Sequence, residues 1–151
     1  MELINKNYGT KFQDHLLKQY EIFVASAEEN STKRMQSNRF YLLLNTVLFS
    51  LSSYLSFISN KIVVTALSGI GIILCLSWMS NISSYKKLNS AKFKIINELE
   101  DYLPSKPFNK EDKYLNSHYT ISNLEKLIPI IFIFSYAIII IFVLLGWIFQ
   151  I

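Results

Sequence analysis

The chain has 151 residues, 51% of them hydrophobic, with a single cysteine, fifteen Lys or Arg against eleven Asp or Glu, and a formal net charge of +4. That length suits one small domain, and Cys75 alone excludes an internal disulfide or a Cys-x-x-Cys metal pattern. The cations flank hydrophobic blocks and alternate with carboxylates, so the basic balance suits a membrane-facing role and gives no support to a nucleic-acid partner.

Residues 1–32 are polar, carry five carboxylates and lack the short apolar core of a cleavable signal peptide, so insertion is expected to be directed by later segments. Over residues 11–27, Phe12, Leu16, Tyr20, Phe23, Val24 and Ala27 recur at three- and four-residue spacing, which predicts an amphipathic helix capped by Thr10. Gln13, Lys18, Glu21 and Glu28 form its polar face. Interfacial helices are usually Lys- or Arg-rich there, so packing against another cytoplasmic helix is the better expectation. Asn30, Ser31 and Thr32 are cap-type residues and predict a break over residues 28–32. The next helix is expected from Lys33, crossing into the membrane at Phe40 behind Lys33, Arg34 and Arg39.

Residues 40–58, 62–79 and 127–151 contain no Lys, Arg, Asp, Glu or His. Each is close to the ~20 apolar residues that span a bilayer core. Pumps, coupled transporters and voltage sensors usually carry intramembrane charge, and these segments have none. The first holds Asn45, Thr46 and the small polar row Ser50, Ser53 and Ser56, with Ser52 beside it. Such a row permits close helix approach or interhelical hydrogen bonds of about 0.6 kcal/mol each; alternatively the hydroxyls bond back to their own helix carbonyls. Only Ser59, Asn60 and Lys61 separate the first two segments, so they must form an antiparallel hairpin. Thr65 and Gly69 make a small-xxx-small pair in the second, available to that hairpin or to an oligomer.

Beyond Trp78, a candidate interface anchor, the period continues through Tyr85, Leu88, Ala91, Ile95, Leu99 and Tyr102, widened by Ile96 and Leu103. The second span is therefore expected to run on as a long cytoplasmic helix, about 33 Å of it beyond the membrane at 1.5 Å per residue. Its apolar stripe needs the 11–27 helix or another subunit. Pro104 and Pro107 end it. Residues 105–119 read as a polar loop with Phe108, Tyr114 and Tyr119, and Ser122 with Glu125 fits a capping box before a last helix that starts near Asn123 and passes Pro129. The expected fold is all-α with three transmembrane helices, organised as residues 1–38, 39–80, 81–123 and 124–151. Six cations in residues 1–39 and eight in residues 80–127, against Lys61 alone between the first two spans, place the N-terminus in the cytoplasm and the C-terminus outside.

No reacting constellation is legible. His15 and His118 stand far apart without a ligand cluster, Gly69-Ile70-Gly71 lacks the Lys-Ser/Thr end of a phosphate loop, and no Gly-x-Ser-x-Gly elbow occurs. Glu98, Glu100 and Asp101 are expected on the solvated face of a helix. No catalytic, cofactor-binding or metal-binding residue is assigned, and the chain is not expected to be an enzyme.

Residues 85–100, Tyr-Lys-Lys-Leu-Asn-Ser-Ala-Lys-Phe-Lys-Ile-Ile-Asn-Glu-Leu-Glu, followed by Leu103-Pro104 and Pro107-Phe108, resemble the cytoplasmic signature of the RipA-like family of small bacterial membrane proteins. Residues 38–45 and Leu124-Glu125-Lys126 resemble it too. The resemblance implies an octamer in the bacterial inner membrane and a link to growth or virulence, and it carries no catalytic residues. The chain departs from the family pattern after Phe108, where Asn109-Lys110-Glu111-Asp112 stands in place of an acidic-tryptophan step.

The expected function is thus a homo-oligomeric scaffold or interaction platform. Leu88, Ala91, Ile95, Leu99 and Tyr102 are its candidate subunit interface, and Ser50, Ser53, Ser56, Thr65 and Gly69 its candidate transmembrane packing residues. Partners are other copies of the chain, membrane lipids and an unidentified protein. The alternatives are a pore-forming or membrane-perturbing effector, with Ser50, Ser53 and Ser56 lining water, and an accessory subunit of a larger membrane complex.

Overall fold

The computed structural model describes residues 8–57, 61–115 and 121–148. Among them are four helices and no strand: α1 (Phe12–Phe57), α2 (Lys61–Glu100), α3 (Pro107–Leu115) and α4 (Ile121–Ile148). Ser59 and Asn60 of the expected turn, His118 and Tyr119 lie outside the described residues. Among the described residues two helices, Lys61–Glu100 and Leu124–Gly146, are long and apolar enough to cross a membrane. The 40–57 part of α1 is free of Lys, Arg, Asp and Glu and holds Asn45, Thr46 and four serines among its apolar residues.

Two compact units divide the chain, one of Met1–Thr32 with Lys87–His118, the other of Lys33–Lys86 with Tyr119–Ile151. In the first, α1 starts after a turn in which Phe12 N–H donates to the Gly9 carbonyl at 3.3 Å. Gly9 has φ +92°, a left-handed conformation open to glycine at little steric cost. Leu16 and Ala27 are buried, Phe12, Tyr20, Phe23 and Val24 half-buried, and Gln13, Lys18, Glu21 and Glu28 exposed, as the amphipathic period predicts. The break over residues 28–32 is absent. Asn30 is buried and donates to Asn89 Oδ1 at 3.4 Å, so a residue that would suit a cap is used inside the helix as a buried polar partner.

The 105–119 loop also needs correction, since α3 occupies Pro107–Leu115. Pro107 is its first residue, where proline costs no hydrogen bond and its fixed φ is already helical. At the end of α2 the chain tightens, with Tyr102 N–H on the Leu99 carbonyl and Leu103 N–H on that of Glu100, both 3.1 Å.

In the second unit α1 and α2 run antiparallel. Ser37 donates to Asn81 at 3.1 Å, Trp78 Nε1–H to Asn38 at 2.9 Å, and Cys75 Sγ–H to Asn45 Oδ1 at 3.1 Å. α4 joins them through Arg34 and Glu125 at one end and Tyr136 farther along. Pro129 is buried at its ninth residue.

Candidate functional site

The interior of the second unit is built on three groups that would be costly in hydrocarbon if left unpaired. Asn45 donates through Nδ2 to the Tyr41 carbonyl at 2.9 Å and accepts from Cys75, while its own carbonyl accepts from the Tyr136 hydroxyl at 3.0 Å. Asn45, Cys75 and Tyr136 are all fully buried. Tyr136 lies against Gly71 so closely that a Cβ added there would fall 2.7 Å from Cε1 and nearer still to Cζ and Cε2. Phe49 meets the same ring edge-to-face at 5.8 Å. Gly71 is therefore the glycine that admits a neighbouring helix, and Gly69, with open space around its missing Cβ, is not.

The predicted serine row does not face this interior. Ser50 and Ser56 are exposed and Ser53 is half-buried; Ser56 donates to the Ser53 carbonyl at 2.7 Å and Thr65 to that of Lys61 at 2.9 Å. These are the back-bonds that serine and threonine make readily within a helix. Ser52 is the buried one. Seven residues nearer the tip than Asn45 and Cys75, the antiparallel register brings Ser52 level with Ser68, and both hydroxyls are buried without a partner among the described residues.

Trp78 is buried and stacked on Tyr41 at 5.9 Å, so it anchors one helix to another inside the unit. Two cations tie α4 to the other helices of the unit. Arg34 meets Glu125 at 2.7 Å with both side chains about a fifth exposed, and Lys61 Nζ donates to the Gly146 carbonyl at 2.8 Å.

In the first unit Glu98 and Asp101 are exposed, as expected of a solvated acidic face, but Glu100 is 0% exposed and departs from it. Oε1 accepts from the Tyr20 hydroxyl at 3.1 Å and from Phe108 N–H at 3.0 Å, and Oε2 accepts from Asn109 N–H at 3.0 Å. An acid from α2 thus caps α3, where free amides and the helix dipole favour negative charge. Phe108 packs edge-to-face on Phe93 at 5.8 Å. Burial, and then the Glu100 carboxylate, push the Tyr20 phenol up from 10 to about 12. Lys92 donates to the carbonyl and hydroxyl of Ser26. Tyr8 and His15 are hydrogen-bonded at 2.6 Å, and no group of three His, Cys, Asp or Glu converges among the described residues.

The five candidate interface residues divide. Leu88 (49% exposed), Ala91 and Tyr102 face outward and Ile95 is half-buried. Leu99 is 3% exposed and packed within its own chain, so it has almost no surface to offer a second copy. What faces inward on this part of α2 is Ile96, Leu99 and Glu100, together with the half-buried Asn89 and Lys92.

Two membrane-length apolar helices, buried Asn45, Cys75 and Tyr136 bonded to one another's groups, and many large apolar side chains on the outside define a small helical membrane protein. The chain belongs to the octameric membrane protein family (8xMP), which it matches over residues 17–145. The family-level resemblance drawn from residues 85–108 agrees with that assignment. No curated protein and no solved structure matches the chain.

Proposed function

We propose that the chain is a non-enzymatic, homo-octameric scaffold of the bacterial inner membrane, with three spans, a cytoplasmic N-terminus and an external C-terminus. The 40–57 part of α1 is the third span. Asn45 within it and Asn38 just before it are bonded to Cys75 and Trp78 of the membrane-length helix α2, so it shares the depth of that helix. Lys61 and Lys86 bracket the α2 span about 37 Å apart at 1.5 Å per residue, enough to clear a hydrocarbon core of about 30 Å.

The observation that carries the assembly reading is the outward face of α2 at Leu88, Ala91 and Tyr102, with Ile95 at its edge, in a chain whose family is described as octameric. An exposed apolar stripe on a polar helix suits a subunit contact. By family resemblance the assembly serves growth or virulence as an interaction platform for a protein partner. A conducting opening lined by Ser50, Ser53 and Ser56 has less support, because Ser56 is already satisfied by its own helix.

Native mass spectrometry of the chain in a gentle detergent tests this reading. A single species of eight copies is expected, and Leu88→Asp combined with Ala91→Asp should disperse it while circular dichroism retains the helix content. A monomeric wild type, or an unchanged mass for the variant, would reject the assignment. Leu99→Asp is unsuitable as the probe, since it introduces an acid inside the subunit.

A further inference from the structure

The unit formed by Lys33–Lys86 and Tyr119–Ile151 is strongly one-sided in charge. Residues 33–86 contain five cations and no Asp or Glu, and residues 119–151 add Lys126 against Glu125. That one carboxylate is already held by Arg34. Five of the six cations share one end. Ser37 meets Asn81, and Lys33 and Lys86 lie four and five residues farther along their antiparallel helices, at the level where Arg34 meets Glu125 and Lys126 follows it. Arg39 is exposed slightly nearer the membrane. On its own face of α1, at successive four-residue steps, come Leu43 (67% exposed), Val47 (63%) and Leu51. The run from Arg39 to Leu51 covers about 18 Å at 1.5 Å per residue, slightly more than one leaflet of a 30 Å core.

We infer that this face binds an anionic diacyl phospholipid, with its phosphate on Arg39 and an acyl chain along Leu43, Val47 and Leu51, while Lys86 and Lys126 draw anionic headgroups to the same end. The inference rests on the membrane reading above and adds the chemistry of the occupant. A guanidinium followed by an apolar ridge matches an amphiphile with an acidic head. The membrane unit of a second copy offers no counter-charge, since its one carboxylate is likewise engaged with its own Arg34.

Native mass spectra of the full chain in detergent, supplied with equimolar phosphatidylglycerol and phosphatidylcholine, test it and report the oligomer mass at the same time. Wild type should retain phosphatidylglycerol preferentially, by about fivefold for each cation engaged. Arg39→Gln should reduce that preference about fivefold with the oligomer mass unchanged, and higher ionic strength should weaken it in wild type. Equal retention of the two lipids by wild type, or an undiminished preference in Arg39→Gln, would overturn the inference. So would dispersal of the oligomer by Arg39→Gln, which would show that Arg39 faces another copy. A wild type that is monomeric yet prefers phosphatidylglycerol would leave the lipid site standing and reject the assembly alone.

Discussion

Replacing Glu100 by Ala should release α3 from the rest of its unit. The substitution strands two amides, Phe108 N–H and Asn109 N–H, each now bonded to the carboxylate at 3.0 Å, and removes the acceptor of the Tyr20 hydroxyl. A buried donor left without its partner costs about 1–3 kcal/mol. Opening of α3 exposes both amides to water, so it is the route by which the chain recovers that energy. Taking the lower half of the range for the two amides gives about 2–4 kcal/mol in favour of the open form, a rise of roughly thirty- to a thousandfold in opening. Hydrogen exchange followed by mass spectrometry reads this directly. The peptide covering Pro107–Leu115 should exchange faster by that factor, while peptides from residues 62–79 stay unchanged. Unaltered exchange over α3 would refute the reasoning, because the cap would then contribute nothing that water does not supply.

Two further outcomes follow from the same kind of geometry. Gly71→Ala drives a Cβ into the Tyr136 ring and should destabilise the protein by about 1–3 kcal/mol, seen as earlier thermal unfolding in detergent; Gly69→Ala meets open space and should unfold at the same temperature or above, so equal responses at the two glycines would contradict the packing described. The Tyr20 phenol, raised in the folded chain from 10 to about 12, contributes stability that is complete below pH 10 and lost as the pH rises toward 12. The stability gap between wild type and Tyr20→Phe should therefore narrow across that interval in pH-dependent unfolding, and a gap that stays constant would reject the role of the phenol.

Where burial follows apolar residues at helical spacing, the sequence is a good guide: Leu16 and Ala27 are buried and their flanking polar residues are not. It misleads where polar residues take core positions. The inward row of α2 passes through Asn89 and Lys92, bonded to Asn30 and Ser26, so an apolar count slides to the neighbouring row of Leu88, Ala91 and Ile95. Asn30 misleads in the same way, as a cap in local chemistry and a buried partner in tertiary structure. Glu100 resembles any helix-surface acid until a proline-started helix turns its amides toward it, a long-range encounter with no local signal. Of the small residues in the second span, the small-xxx-small spacing draws attention to Gly69, whereas only the ring of Tyr136, 65 residues away, reveals that the close approach is at Gly71.

Lys61 carries a consequence for the order in which the protein is made. It is the first residue of α2, where a positive charge opposes the helix dipole, and it donates to the carbonyl of Gly146 near the end of α4, a helix with no basic residue in its own last turn. The charge that is unfavourable for one helix is the terminal cap of another, 85 residues later in the chain. A nascent chain that has completed its first two helices therefore carries at their tip a donor for a helix not yet made. When the last helix emerges, that contact gives the hairpin a means of holding α4 at one depth.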